Sequence, residues 1–226
     1  MLGYKDTVEL AIQRKKVLTV KLYSYLGSER DYIDSVLDRY LEEVGLNRLM
    51  NNISYCIHEV AGNAHKANLK RLYFMLRSLD IDDTEQYRIG MRDFKREVLQ
   101  HPEKYSLPHR EYGYYIKFHF QIEDPFLKVV VRNNVPLTPQ EEAKINDKMK
   151  IAGDATNLAD VYEATEDYSE GAGLGIVMLH VILKNLGFNN KPFQIYSRGE
   201  ETIAFLSLDT RNTAVLEESY AQLMMG

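Results

Sequence analysis

The sequence predicts a two-layer α/β sandwich, in which a mixed, mostly antiparallel sheet carries helices on one face. Two pairs of apolar or alternating segments predict antiparallel hairpins, 114–122 with 126–131 and 193–197 with 202–208. Long segments with helical spacing of their apolar residues separate a first strand from these hairpins. Grouped helices and hairpins, rather than a regular βαβ alternation, are typical of helices on one side of an antiparallel sheet.

Each predicted element has a local reason. Ser28, with Asp31 three residues later, predicts the N-cap of the first long helix, and Gly45 predicts its end. His101-Pro102 ends a later helix, because the residue before proline disfavours helical backbone. The predicted elements, in chain order, are a strand, three helices, the first hairpin, two helices and the second hairpin: 17–25, 31–44, 48–79, 85–99, 114–131, 139–149, 176–187 and 193–208.

Length and composition indicate a single domain over 1–226. A chain of 226 residues, 45% of them hydrophobic, can bury a sizeable core, and no Ser/Gly/Pro-rich linker divides it. We expect an N-terminal arm or short helix over 1–14, a helical insertion over 80–110 and a C-terminal tail over 210–226. The insertion is either a partner-docking element or a structural insertion that packs its own apolar face.

Charge and cysteine content narrow the partners and the compartment. The net charge is −5 with both signs mixed along the chain, which gives no electrostatic case for nucleic acid or an anionic membrane. No apolar run approaches 20 residues, so membrane insertion is not expected. The one cysteine, Cys56, excludes an intramolecular disulfide and favours the cytoplasm; a small core residue fits it better than a nucleophile.

A polar edge runs along the second long helix. Glu59 and Asn63 lie roughly 40° apart around the helix axis, and Lys66 follows on the same edge. A carboxylate and a carboxamide one turn apart can hold a divalent cation against a phosphate chain. An ordinary amphipathic helix with solvated polar residues fits the same pattern, because Ile57 and Val60 fall on an opposite, apolar face.

A glycine-rich segment precedes the apolar helix near the end of the chain. Gly171, Gly173 and Gly175 alternate with Ala172 and Leu174, which lets the backbone approach a ligand and exposes amide N–H groups. The positive end of the following helix would point at that ligand, and phosphate is the usual occupant. No Lys-Ser/Thr follows the glycines and no strand precedes them, so neither a P-loop nor a dinucleotide fold is expected.

Together the two motifs resemble the ATP-binding domain shared by gyrase, heat-shock chaperones, histidine kinases and MutL, the GHKL or Bergerat fold. Glu59-x-x-x-Asn63-Ala64-x-Lys66 resembles its N box, and Gly171-x-Gly173-Leu174-Gly175-Ile176 resembles its second glycine box. Glutamate at position 59 and the upstream strand–helix order are most similar to the anti-sigma-factor serine kinases. The resemblance covers residues 15 to 209.

The resemblance implies ATP and Mg²⁺ as cofactors and a role for each motif. Glu59 would be the catalytic general base, Asn63 would bind Mg²⁺, and residues 150–170 would form a lid over the nucleotide. Residues implied in nucleotide binding are Asn63, Lys66, Asn133, Gly171, Ala172, Gly173, Leu174, Gly175 and Thr202.

The first glycine box departs from the family pattern Asp-x-Gly-x-Gly. Asn133 stands where the family has its adenine-binding Asp, and Val135 and Leu137 replace the glycines. An amide oxygen still accepts a hydrogen bond from the adenine amino group, but more weakly than a carboxylate.

Three functions therefore stay open at this point. The intact Glu59, Asn63 and second glycine box favour an anti-sigma-type serine/threonine kinase that acts in signal transduction on a partner protein. The altered first glycine box favours a regulatory scaffold without catalysis. A histidine kinase catalytic domain is the third, and His58 before Glu59 would then suggest a phosphoacceptor. A homodimer is compatible with each.

Overall fold

The computed structural model describes residues 4–154, 174–188 and 191–211. In these ranges five strands form one sheet in the order β1-β2-β3-β5-β4, and every neighbouring pair is antiparallel. The strands are β1 (Leu18–Leu22), β2 (Ile116–Glu123), β3 (Phe126–Asn133), β4 (Phe193–Arg198) and β5 (Glu201–Asp209).

The described helices are α1 (Tyr4–Gln13), α2 (Gly27–Glu43), α3 (Met50–Leu76), α4 (Thr84–Glu97), α5 (Ser106–Glu111), α6 (Pro139–Asp154) and α7 (Leu174–Asn185). Two 3₁₀ turns, Asn47–Leu49 and Pro102–Tyr105, precede α3 and α5.

The sheet buries one face under the helices. Along β2 the buried positions alternate with half-exposed ones, as expected when only one face is covered. Phe118 and Phe120 belong to the core that the sheet shares with α1, α2, α3 and α7, whereas Lys117 and His119 lie on the opposite face. The predicted fold class, a two-layer sandwich with an antiparallel sheet, is confirmed.

The ends of α2 show one wrong prediction and one accurate one. The helix begins at Gly27 with Leu26 as N-cap and no side-chain cap; the Ser28 hydroxyl donates instead to Glu29 at 3.2 Å. Gly45 has a φ of +73° and follows the last turn, where the Leu46 N–H bonds to the Leu41 carbonyl at 2.8 Å. Such a closure favours glycine, so the predicted break holds.

The N-terminal segment and the insertion are both packed. Val8 and Ile12 of α1 are buried in the main core. Within the insertion, Phe94 and Val98 join a second apolar cluster with α3, while Leu99 stays 40% exposed. None of the helices within the described ranges combines the length and the hydropathy that a membrane span requires.

Candidate functional site

The middle of α3 places Glu59 and Asn63 on successive turns of one edge. Asn63 donates from Nδ2 to Glu59 Oε1 at 3.1 Å, and both side chains are half-buried. Val60 and Ala64 are buried on the adjoining face and fix the rotation of the helix about its axis. The edge therefore presents an oriented carboxylate–carboxamide pair.

The first turn of α7 lies directly against this pair. A Cβ atom on Gly175 would come 2.0 Å from Glu59 Oε1 and 2.1 Å from its Cδ, so only glycine permits the approach. One turn further, the Tyr55 hydroxyl contacts Met178 Sδ at 3.8 Å. The carboxylate of Glu59 thus lies beside a helix N-terminus, where the free N–H groups favour negative charge. We call Glu59, Asn63 and Gly175 the phosphate end, after the role that the resemblance implies for these residues.

The remainder of the glycine segment is only partly described. Leu174 and Gly175 begin α7, whereas Gly171, Ala172 and Gly173 lie outside the described residues. Of the predicted lid over 150–170, the structure describes only the last turn of α6. The tail over 210–226 is described only to residue 211.

Asn133 and Thr202 meet on the buried face of the sheet. The register of β3 and β5 sets them opposite one another, and they are 2% and 7% exposed. The Thr202 hydroxyl donates to the Val135 carbonyl at 2.8 Å. Asn133 donates from Nδ2 to Asn68 Oδ1 at 3.1 Å. We call Asn68, Asn133 and Thr202 the adenine end, after the role that the resemblance implies for Asn133 and Thr202.

The direction of the Asn133 amide is determined by its neighbours. Asn68 donates from Nδ2 to the Tyr115 carbonyl at 2.9 Å, and a carbonyl can only accept. Asn68 must therefore turn Oδ1 toward Asn133, which in turn presents Nδ2 to it. The Oδ1 atom of Asn133 is left as the acceptor for any further partner. Sequence reasoning missed Asn68, whose only signal was an amide among the buried positions of α3.

A half-buried ion cluster joins α3 to the start of α6. Glu141 pairs with Lys70 and, at 2.8 Å, with Arg71, which also donates to the Pro136 carbonyl at 3.0 Å. Burial alone would raise the pKa of Glu141, but the bonds and charges of both cations outweigh it and lower that pKa to about 2. The cluster anchors the loop after β3, next to the adenine end. Its partners were not foreseen, because an ion pair between distant residues leaves no local pattern.

A cleft of about 310 Å³ lies on the outer face of α3, opposite its core face. Glu59 forms part of its wall, and Lys66, which is exposed, lies at its rim. Leu99 and Pro102 of the insertion close its far side. The structure therefore places Glu59 at the border between the phosphate end and a second, outward-facing concavity.

His58 lies in the same cleft and uses both ring nitrogens. Its Nδ1 is 2.5 Å from the Tyr25 hydroxyl and its Nε2 is 3.0 Å from Asp34 Oδ2. Asp34 also accepts from the Ser54 hydroxyl at 2.6 Å. Burial raises the pKa of Tyr25, so the phenol stays protonated. A phosphoacceptor needs a free nitrogen, so this network favours a structural His58.

A second pair of imidazoles lies behind the cleft. His65 and His109 are buried, with ring centroids 5.3 Å apart at 70°. The Nε2 atoms of both have no hydrogen-bond partner among the described residues. Burial lowers the pKa of His65 to about 4, and the nearby His109 acts in the same direction, so His65 is neutral at pH 7.

The donor chemistry of the phosphate end suits magnesium. Mg²⁺ prefers oxygen ligands and usually keeps several waters and phosphate oxygens. Glu59 and Asn63 supply a carboxylate and an amide oxygen. No group of three or more His, Cys, Asp and Glu side chains that could hold a metal occurs within the ranges described. A magnesium ion here would depend on Asn63 together with oxygens from a nucleotide and water.

No family model matches the chain. The sequence is 32% identical over 199 residues to a Treponema pallidum (strain Nichols) protein described as uncharacterized, and the alignment covers 88% of this chain but spans only 39% of that relative's length. A chain in the crystal structure of the SiaB-SiaC complex from Pseudomonas aeruginosa is similar over 92% of this chain and 99% of its own, with 12% identity and a TM-score of 0.46. At that level of similarity neither a shared fold nor a shared function follows.

Proposed function

We propose that this chain is a magnesium- and ATP-dependent protein kinase of the anti-sigma type, acting in signal transduction on a serine or threonine of a partner protein. The observation that carries the proposal is the contact between Glu59, bonded to Asn63, and Gly175 at the start of α7. Two motifs far apart in sequence thereby form one polar corner at a helix N-terminus, which suits an anionic, metal-bound ligand.

Each group at the phosphate end has a proposed task. Glu59 takes the proton of the acceptor hydroxyl, the hydroxyl oxygen bonds to the γ-phosphorus of ATP, and the bond from that phosphorus to the bridging oxygen of the leaving ADP breaks. Asn63 would hold Mg²⁺ through Oδ1, and the backbone N–H groups from Gly171 to Gly175 would hold phosphate oxygens. Magnesium-bound ATP, when present, supplies the transferable group and the charge neutralisation.

The adenine end supports the proposal in one respect. The hydrogen bonds of Asn68 turn Oδ1 of Asn133 into the free acceptor, and an adenine amino group needs such an acceptor. Asn68 is therefore proposed as the residue that positions Asn133.

A regulatory scaffold without catalysis is the second candidate, and one observation favours it. Asn133, Thr202 and Val135 are only 2%, 7% and 5% exposed, which leaves little surface for a base to contact. In this alternative the same fold serves as a surface for a partner protein.

Calorimetric titration with Mg-ATP separates the two candidates. We expect wild type to bind, and Asn63→Ala to lose at least about tenfold in affinity with magnesium but little without it, because only the metal contact is removed. Asn51→Ala is the matched control, since Asn51 is exposed on the same helix. Circular dichroism verifies that both variants fold.

The other outcomes are equally informative. Equal magnesium-dependent affinity of wild type and Asn63→Ala would refute the metal assignment. No heat of binding with wild type would favour the scaffold. Binding of Mg-ATP with neither phosphoryl transfer to a protein nor release of ADP would support the nucleotide site and reject the kinase.

A further inference from the structure

The cleft on the outer face of α3 is not explained by nucleotide binding. Its floor is one face of the helix, and its walls come from the start of α2 and from the insertion. The lining includes side chains three or four positions apart along α3: Tyr55, His58, Glu59, Gly62, Lys66 and Leu69. This spacing is that of a single helix face.

Gly62 at the middle of this floor is costly to α3, and no contact among the described residues requires a glycine there. A glycine in a helix interior is less stable than alanine by about 1 kcal/mol. A Cβ atom at Gly62 would meet nothing within 4 Å among the described residues. Gly175, by contrast, is needed because Glu59 packs on it. A bare backbone at Gly62 therefore suits the close approach of another backbone from outside.

The rim of the cleft carries positive charge that the described part of the chain leaves unmatched. Arg30, in the first turn of α2, and Lys66 are both exposed and line the cleft. Neither has an acidic partner among the residues that the structure describes. The nearby Glu29 accepts hydrogen bonds from the Ser24 and Ser28 hydroxyls instead. The two cations are therefore available to an acidic side chain of a partner.

Other parts of the lining suit the remainder of a polypeptide. Leu26, Leu69, Leu99 and Pro102 provide apolar walls. His65 also contributes to the lining, but it is only 5% exposed and its Nε2 atom is buried.

We propose that the cleft binds an extended segment of the partner protein, with its backbone over Gly62, an acidic side chain between Arg30 and Lys66, and its acceptor hydroxyl beside Glu59. Only the placement of the acceptor hydroxyl beside Glu59 rests on the proposed kinase function. Glu59 borders both the cleft and the phosphate end, so the hydroxyl and the γ-phosphoryl group reach its carboxylate from different sides of α3.

Selection and affinity measurements test this docking. A displayed library of random peptides is selected on wild type, and the enriched peptides are titrated by fluorescence anisotropy. We expect enrichment of peptides with Asp or Glu close to Ser or Thr. Gly62→Phe, which fills the cleft, should weaken them at least about tenfold, and Gly62→Ala should weaken them less, because its single Cβ enters only the space next to the docked backbone.

Charge reversal supplies the second arm. The double variant Arg30→Glu, Lys66→Glu should weaken the same peptides at least about tenfold, and more at low salt, because the rim then repels an acidic side chain. Lys16→Glu is the matched control, because Lys16 is an exposed cation that precedes the first residue of β1 and does not line the cleft. Thermal melts verify that every variant folds.

The outcomes distinguish the docking proposal from the kinase proposal. Gly62→Phe should keep the Mg-ATP affinity of wild type, and peptides that dock without Mg-ATP binding would reject the kinase alone. Enrichment of no common pattern, or equal affinity for Gly62→Phe and wild type, would overturn docking. A wild-type dimer in sedimentation that dissociates on Gly62→Phe would instead assign the cleft to a second copy of this chain.

Discussion

The phosphate end and the adenine end of the proposed nucleotide site differ in how strongly their side chains are committed to the fold. At the phosphate end, Glu59 and Asn63 are half-buried and bonded mainly to one another. At the adenine end, Asn133 and Thr202 are buried, and each has a partner elsewhere in the chain. A half-buried pair can exchange its partners for a ligand at small cost, whereas a buried bonded group contributes directly to stability.

This difference separates the expected effects of substitution. Changes at the adenine end, and in the ion cluster that anchors its loop, should lower the free energy of unfolding. Changes at the phosphate end should lower activity while the fold persists. If substitutions at both ends changed stability and activity in the same way, the proposed difference between the two ends would be wrong.

The largest effect is expected for Glu141→Ala. This change leaves Lys70 and Arg71, 12% and 13% exposed, without their shared anion. Breaking a fully buried ion pair from one side costs about 3–5 kcal/mol, so this half-buried cluster should lose up to about that amount, and urea unfolding measures it. Glu142→Ala, at an exposed neighbouring position, should stay within about 0.5 kcal/mol of wild type. A loss below about 1 kcal/mol for Glu141→Ala would show that the cluster is not a stabilising anchor.

The pH dependence of the stability lost in Glu141→Ala tests the same ion cluster. The folded-state pKa of Glu141 is about 2, against an ordinary 4.5. A carboxyl with a lowered pKa contributes its stability fully above the unfolded value and loses it as pH falls through the folded value. The difference between wild type and Glu141→Ala should therefore shrink as pH falls from 4.5 toward 2. A difference that stays constant over this window would exclude Glu141 as the titrating group.

Gly175→Ala tests the phosphate end with the next largest effect. The new Cβ would overlap the Glu59 carboxylate, which is the end of a flexible side chain and can rotate away. We expect stability within about 1 kcal/mol of wild type but a loss of about a hundredfold in phosphoryl transfer, because the general base is displaced. Asn51→Ala, at an exposed position of the helix that carries Glu59, is the control. Unchanged turnover would remove Glu59 from the chemistry.

The features that the sequence predicted from its residues are mostly those that depend on residues close together in the chain. The hairpins, the α3 edge with Glu59 and Asn63, and the glycine-induced end of α2 depend on local periodicity, and the structure contains all of them. The Ser28 cap was wrong because a neighbouring carboxylate, Glu29, binds that hydroxyl. The bond between Asn68 and Asn133 and the ion pairs of Glu141 join distant residues and left no pattern to find.

The adenine end and the outer cleft show this most clearly. The bond between Asn68 and Asn133 joins residues that are 65 positions apart, and Asn68 resembles any buried amide. The cleft is assembled from α2, α3 and the insertion, so no single segment predicts it. The sequence predicted Lys66 at the phosphates, and the structure places it at the rim of this cleft. Whether Lys66 also contacts phosphate stays a prediction.

The smallest expected effects come from the bond between Asn133 and Asn68. Each single change to alanine should cost about 1–3 kcal/mol, because the remaining amide is buried without its partner. The double variant should cost less than the sum of the two, with a coupling of about 1 kcal/mol in urea unfolding. Additive losses would mean that the bond contributes nothing.

The same two variants test base recognition. An amide oxygen on Asn133 accepts from the amino group of adenine but not from the carbonyl of guanine, so wild type should prefer Mg-ATP to Mg-GTP. Asn133→Ala should lose that preference, and Asn68→Ala should reduce it, because nothing then determines which way the Asn133 amide points. Asn51→Ala should retain it. Competition calorimetry with both nucleotides measures the ratio, and a preference that survives in Asn133→Ala would assign base recognition to another group.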